Sequence, residues 1–292
     1  HYGEWLEILS ELTVPEEKQA AYRQMVGKNL NSDGTTDAQV QGTDTPKLYI
    51  PLQFFFCRNP GLALPLIALQ YHEVKVTIKL RGSVGTATLD SVKLFVDYVY
   101  LDTTERRRFA QMQHEYLIEQ LQHTGPATGT DNTQRLNFNH PIKELIWVFH
   151  ENNEGTAVNF GHGGTLTNVA TTSTSITDPA VPVDWFGTMK LQLNGHDRFT
   201  ERDASYFRLV QPYQHHTRVP SKYPIYCYSF ALNPEAHQPS GTCNFSRLDN
   251  VSMKFTNASS AVRGTGDTLL VYAVNYNVLR IMSGMGGLAY SN

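Results

Sequence analysis

Cysteine is nearly absent from this sequence: Cys57, Cys227 and Cys243 are the only three in 292 residues. The number is odd and no Cys-x-x-Cys spacing occurs, so the thiols are expected to be buried and free, in a reducing compartment, outside any disulfide framework. A run of about 18 apolar residues is also missing, which leaves no candidate membrane-spanning helix. Positive charge is not in excess, since 24 Lys and Arg face 27 Asp and Glu for a formal charge of −3. A protein that coats nucleic acid would be expected to carry a basic surface. Histidine is plentiful at 11 residues, yet no His-x-His occurs. That spacing is what aims two imidazoles from one strand face at a metal in cupin-type sites. His215 and His216 are adjacent, so on a strand they would face opposite sides. No Gly-x-Ser-x-Gly elbow, Walker loop or Gly-x-Gly-x-x-Gly is present. The expectation is a non-enzyme with no catalytic residues, no metal site and no cofactor.

What the chain does have is β-strand pattern. Leu48 to Leu80 reads LYIPLQFFFCRNPGLALPLIALQYHEVKVTIKL, three strand-like runs separated by tight punctuation. Tyr49–Cys57 ends at Arg58-Asn59-Pro60-Gly61, Leu64–Tyr71 follows, and then Val74, Val76, Ile78 and Leu80 alternate with Glu73, Lys75, Thr77 and Lys79. A further strand is expected over Val92–Leu101. Val74, Val76 and Ile78 are expected to be buried, and Lys75 and Lys79 exposed.

Upstream, residues 1–27 read as helical, with a start signal at Val14-Pro15-Glu16-Glu17, Thr13 as N-cap and Gly27 as the stop. Asn29–Pro46 is polar and reads as a surface loop. Downstream, eight strand-like segments follow: His114–His123, Gln134–Asn139, Glu144–His150, Thr188–Asn194, Pro224–Leu232, Gly241–Ser246, Asn250–Thr256 and Leu269–Met282. Eight consecutive strands suit a jelly roll. Glu151–Gly187, rich in Thr, Ser, Asn and Gly, is an insertion expected to be an exposed, tolerant loop. Thr200–Val210 reads as a short helix.

An internal repeat adds to this. Val96-Asp-Tyr-Val-Tyr-Leu101 parallels Val274-Asn-Tyr-Asn-Val-Leu279, and Val74, Val76 and Ile78 parallel Val251, Met253 and Phe255. Two copies of one pattern suggest a duplicated domain. The second copy has strands on both sides of its helix and the first only on the later side. The chain, which opens on His1 without a signal peptide, is therefore expected to lack the start of its first domain. The organisation expected is 1–104 as the C-terminal part of a first jelly roll, 105–113 as a linker and 114–292 as a second jelly roll.

Four strings carry a resemblance to a known family: LPLIALQYHEVKV (Leu64–Val76), ERRRFAQMQHEYLIEQLQ (Glu105–Gln122), PEAHQPSGTCNFSRLD (Pro234–Asp249) and NYNVLRIMSGMGGLAYSN (Asn275–Asn292). The sequence resembles the major capsid proteins of nucleocytoplasmic large DNA viruses, of the algal-virus and iridovirus branches. The resemblance implies an all-β tandem (double) jelly roll and a structural role, as homotrimeric, pseudo-hexagonal capsomers tiling an icosahedral shell. It implies self-association and contact with neighbouring capsomers and minor capsid proteins beneath them. Direct nucleic-acid contact and membrane insertion are not expected, and the location implied is the virion, assembled in the host cytoplasm. Arg106-Arg107-Arg108 is expected to pair across the domain join with Asp102 and Glu105 nearby. Of the Asn-x-Ser sequons at Asn244, Asn250 and Asn257, Asn257 is the candidate glycosylation site. The residues alone leave a second reading open, a non-catalytic, lectin-like carbohydrate-binding sandwich favoured by the aromatic content and the Asn/Gly-rich loops.

Overall fold

The computed structural model describes residues 1–26, 28–30, 37–39, 47–80, 91–124, 127–128, 132–150, 184–220, 223–256 and 268–290. Asn257, Gly161–Gly164 and nearly all of the Glu151–Gly187 insertion lie outside them. The chain forms two compact units, one of His1–Pro60 with Glu119–Tyr276 and one of Gly61–Ile118 with Asn277–Asn292.

The elements run α1 (Gly3–Thr13), α2 (Glu16–Met25), β1 (Lys28–Leu30), β2 (Asp37–Gln39), α3 (Phe55–Arg58), α4 (Thr103–Gln111), β3 (His114–His123), β4 (Ala127–Thr128), β5 (Thr133–Leu136) and β6 (Pro141–His150). They continue with β7 (Thr188–Leu193), β8 (His196–Asp197), β9 (Arg202–Asp203), a π-helical turn (Tyr206–Val210), α5 (Gln211–His215), β10 (Tyr226–Ser229), β11 (Cys243–Asn244), β12 (Val251–Phe255), β13 (Thr268–Met282) and β14 (Met285–Leu288). Every pairing with a described register is antiparallel. One sheet is ordered β10-β6-β13-β14, with β11 on β6 and with β3 and β4 on β13; the other is ordered β5-β12-β7-β8, with β9 on β7. The eight strands expected after residue 113 all find their place, and all-β antiparallel sandwich is the fold class.

The run IKELIWVFH explains itself in this arrangement. Leu145, Trp147 and Phe149 of β6 point between the sheets, against Met253 and Phe255 of β12, Met189 and Leu191 of β7, and Phe207. Ile146 and Val148 point the other way, together with Leu270, Tyr272 and Val274 of β13, and there they meet Trp5, Ile8, Leu9 and Leu12 of α1. A strand buried on both faces loses its alternation and reads as continuous apolar sequence. The helix that covers it must show apolar residues at i, i+3, i+4 and i+7, which is the spacing of Trp5, Ile8, Leu9 and Leu12. Pro15 separates α1 from α2 as the residue before α2, without a side-chain cap, while Thr13 closes α1 by donating to the Leu9 carbonyl at 2.8 Å. Thr13 is therefore not the N-cap of α2. Arg218 then ties both helices to the sandwich through Glu11 (2.7 Å) and Glu16 (2.6 Å).

The first half departs from expectation. Among the described residues of 47–102 there is no strand, only α3 and two short 3₁₀ turns at Pro60–Leu62 and Leu66–Ala68. Val74, Val76 and Ile78 are not buried but 44%, 39% and 49% exposed. The Val96–Leu101 copy of the repeat is also largely exposed and has no strand pairing among the described residues, whereas Val274 is buried on β13. Among the described residues the two copies of the repeat therefore do not sit on equivalent strands. The physical reason is that alternation specifies a face, not a partner: without a neighbouring strand to complete the ladder, the pattern cannot become a sheet. The Asn29–Pro46 loop contains a difference of the opposite kind, since β1 and β2 pair there.

In the smaller unit, β13 turns into β14 at Ser283-Gly284, and Tyr71 N–H donates to the Gly284 carbonyl at 2.9 Å. Gly284 has φ +79°, and a Cβ there would meet the Tyr71 ring at 2.4 Å, so the Gly-rich string is a packed turn.

Ile8 is fully buried beneath the sheet. Ile8→Ala is expected to cost about 2–5 kcal/mol in urea denaturation of this chain. Ile78→Ala, at an exposed site, should stay within about 0.5 kcal/mol; equal losses would show the assignment of the core to be wrong.

Candidate functional site

Two charges interrupt the core strand. Lys143 and Glu144 sit in β6 just before the double-faced apolar run, and both are buried. A buried charge must be paired, because its desolvation is worth several kcal/mol. Lys143 Nζ lies 2.7 Å from Glu119 Oε1 on β3 and 2.5 Å from the Pro234 carbonyl, with its ammonium 5.7 Å from the centre of the Tyr276 ring. Arg58, at the end of α3, reaches the other Glu119 oxygen at 3.2 Å. Burial, with Glu119 and Glu144 close by, pushes the Tyr276 phenol up to about 12.

Glu144 faces His216, which follows α5. His216 Nε2 lies 3.3 Å from Glu144 Oε2, a charge contact without hydrogen-bond alignment, and Nδ1 lies 3.1 Å from Glu235 Oε1. Thr217 donates its N–H to Glu235 Oε1 at 2.9 Å and its hydroxyl to Oε2. Burial opposes a charge on His216, but contacts with Cys227, Glu144 and Glu235 overcome it and raise the imidazole well above its ordinary 6.5. Burial alone would raise the Glu144 carboxyl; His216, then Lys143 and Arg58, hold it below the usual range instead.

A third pair, buried on its Arg208 side and partly exposed at Asp184, involves the π-helical turn. Arg208 in the π-helical turn forms a two-pronged contact with Asp184 at 2.8 and 3.2 Å, and the Tyr226 hydroxyl donates to the same carboxylate at 3.1 Å. Trp185 N–H in turn donates to that hydroxyl.

Chemically, these groups hold charge and do not present it. Cys227 and His216 look like a thiol–imidazole pair, but Cys227 is completely buried, burial pushes its thiol up, and its imidazole neighbour is engaged by two carboxylates. Among the described residues no three His, Cys, Asp or Glu side chains converge as metal ligands. Arg106, Arg107 and Arg108 lie exposed on α4, and no ion pair joins them to described residues; Asp102 instead caps that helix by accepting from Glu105 N–H at 2.8 Å. The Asn244 side-chain oxygen accepts from Ser246 N–H, and Ser252 of the Asn250 sequon is buried in β12.

The string Pro234–Asp249 owes its position to this network. Its first residues are gripped by Lys143 and His216, and Gly241 (φ +147°) passes so near Phe230 that a Cβ would stand 2.6 Å from its carbonyl oxygen. Residues 105–287 match the model of the large eukaryotic DNA virus major capsid protein, and residues 1–102 match that of the major capsid protein N-terminus. The chain belongs to the major capsid protein family of large eukaryotic DNA viruses. It is 47% identical to the major capsid protein of Pyramimonas orientalis virus, over all of this chain and 73% of that one. It is 42% identical to the major capsid protein of Paramecium bursaria Chlorella virus 1, over all of this chain and 76% of that one. A solved structure of PBCV-1 VP54, fitted into a reconstruction of the virophage Sputnik, superposes with a TM-score of 0.72 at 36% identity, over all of this chain and 80% of the other. The role is that of a structural capsid protein located in the virion, and the fold class is the tandem jelly roll.

Sequence reasoning did not find the charge network. Its signal was the Lys143-Glu144 pair breaking an otherwise apolar strand, since charge in a core run demands partners elsewhere. Lys143→Ala is expected to cost about 3–5 kcal/mol by removing the buried partner of Glu119 Oε1 and of the Pro234 carbonyl. The double change Lys143→Met with Glu119→Leu should recover most of that loss in the same urea titration, which a purely steric role for Lys143 would not allow.

Proposed function

We propose that this capsid protein is the repeating unit of a homotrimeric, pseudo-hexagonal capsomer that tiles an icosahedral shell. The observation that carries the reading is the succession of the two family matches, 1–102 and 105–287, along one chain. On this reading residues 1–104 are the C-terminal part of a first jelly roll, 105–113 a linker and 114–292 a second jelly roll. Two similar barrels per chain make a trimer nearly six-fold in outline, which is the shape that tiles.

The exposed apolar side chains of the first half support self-association. Tyr71, Phe95, Val99 and Tyr100 are each largely exposed, more apolar surface than a free-standing soluble chain usually shows. The protein does no catalysis; its partners are its own copies, neighbouring capsomers and minor capsid proteins beneath the shell, with no direct nucleic-acid contact and no membrane insertion. Among the described residues no helix is long and apolar enough to cross a membrane. Assembly takes place in the host cytoplasm, and Asn257 is the glycan acceptor.

Native mass spectrometry of the complete capsid protein over a dilution series tests the reading. A trimer should persist to the lowest concentrations at which the chain stays folded, because an interface of this class buries more than about 2,000 Å². Raised salt should loosen contacts between trimers before the trimers themselves. A well-folded monomer at micromolar concentration would overturn the proposal and favour the lectin-like alternative.

A further inference from the structure

The buried imidazole has a consequence beyond holding the core together. A neutral imidazole carries one N–H and one bare nitrogen, so it can satisfy only one acceptor. His216 has a carboxylate at each nitrogen, Glu235 at 3.1 Å and Glu144 at 3.3 Å, and its side chain is only 1% exposed. Glu235 is already an acceptor for the Thr217 N–H and hydroxyl, so it has no proton to offer back. The doubly protonated ring donates from Nδ1 to Glu235 and sets its positive charge against Glu144, a charge contact without hydrogen-bond alignment.

The two carboxylates belong to parts of the fold with different security. Glu144 is fixed in β6 by ladder pairing to Ser229 and Val274. Glu235 lies on the irregular segment after β10, which Lys143 reaches at Pro234 and Asn233 N–H reaches through Ser240 Oγ. Beyond Pro234, Glu235 supplies the side-chain anchors of its stretch, to His216 and Thr217. His216 and Glu235 themselves line a cleft, together with Gln214, Thr217, Leu232 and Asn233.

We propose that His216 is a proton-held latch: as an imidazolium it ties Glu235 to the core strand, and its deprotonation frees the segment from Pro234 to Gln238. The other groups facing it are Cys227 from β10, neutral and buried, Lys143 beside Glu144, and Arg58, which acts on Glu144. Arg218, two residues on, is committed to Glu11 and Glu16. His215 does not share the role, because its Nδ1 meets the Leu232 carbonyl at 3.0 Å.

The sign follows from linkage. His216 is raised in the folded protein, so its contribution is complete below the ordinary 6.5 and is lost as pH rises through the folded value. Glu144 and Glu235 are lowered, so theirs is complete above the ordinary 4.5 and is lost as pH falls through their folded values. The latch is fully closed between those two values and opens on the alkaline side by loss of the imidazolium.

Hydrogen exchange of peptides covering 232–240, compared between the purified protein and His216→Gln at each pH, tests this while cancelling the intrinsic pH dependence of exchange. At pH 6 the variant should exchange about tenfold faster or more in this segment, and the ratio should fall toward one as pH rises. A ratio that stays constant with pH, or never departs from one, would overturn the latch. Should His216→Gln fail to fold, Glu144→Gln decides: it leaves the Glu235 tie in place but removes the other carboxylate facing the ring, so the midpoint of alkaline loosening should move to lower pH. An unmoved midpoint would refute the proposal, as would an equal shift in His215→Gln.

Discussion

The constraint on which the sandwich depends is that β6 is buried on both faces. One face is covered by the second sheet and the other by α1, so the N-terminal helix is part of the core of the residues it precedes by more than a hundred positions. Everything that must sit against β6 inherits a requirement from it. The helix needs apolar residues at i, i+3, i+4 and i+7; β12 and β7 need theirs at alternate positions; and Arg218 must hold the helix pair down from the sandwich side. The two buried charges in the same strand impose a second set of requirements, met by Glu119, the Pro234 carbonyl and His216.

That dependence separates what the sequence made legible from what it did not. From His114 onward each strand-like run has an in-chain partner, so period and length were enough to place β3, β6, β7, β12 and β13 to within a few residues. Val74–Leu80 has a cleaner alternation than β6, yet it pairs with nothing among the described residues, and its apolar side chains stand in solvent. Periodicity reports the face a strand would bury, and burial itself is a property of the neighbour. The helix α1 was legible as a helix from its spacing, but its target was not, because no local rule joins Trp5 to Tyr272.

The charge network was hidden for a related reason. Spacing arguments about histidine look for ligands two apart on one face, and by that test His215-His216 is uninteresting. In the structure the two rings diverge as an adjacent pair should, one to a backbone carbonyl and one to two buried carboxylates. The informative residues were their partners: a Lys-Glu pair inside IKELIWVF cannot remain there unless distant segments bring opposite charges to it. A sequence reader can therefore infer that such partners exist, but the fold alone identifies them.

The two halves of the chain consequently satisfy burial by different means. The sandwich has its interior charges neutralised and its sheet covered by residues of the same chain, among them Arg58 and α1 from the first sixty residues. The stretch from Leu48 to Tyr100 leaves large apolar groups such as Phe95 and Tyr100 in contact with water. Hydrophobic surface of that kind is stabilised only when something removes it from solvent. In a capsid protein, which assembles with other copies into a shell, contact with other chains is available as such a cover.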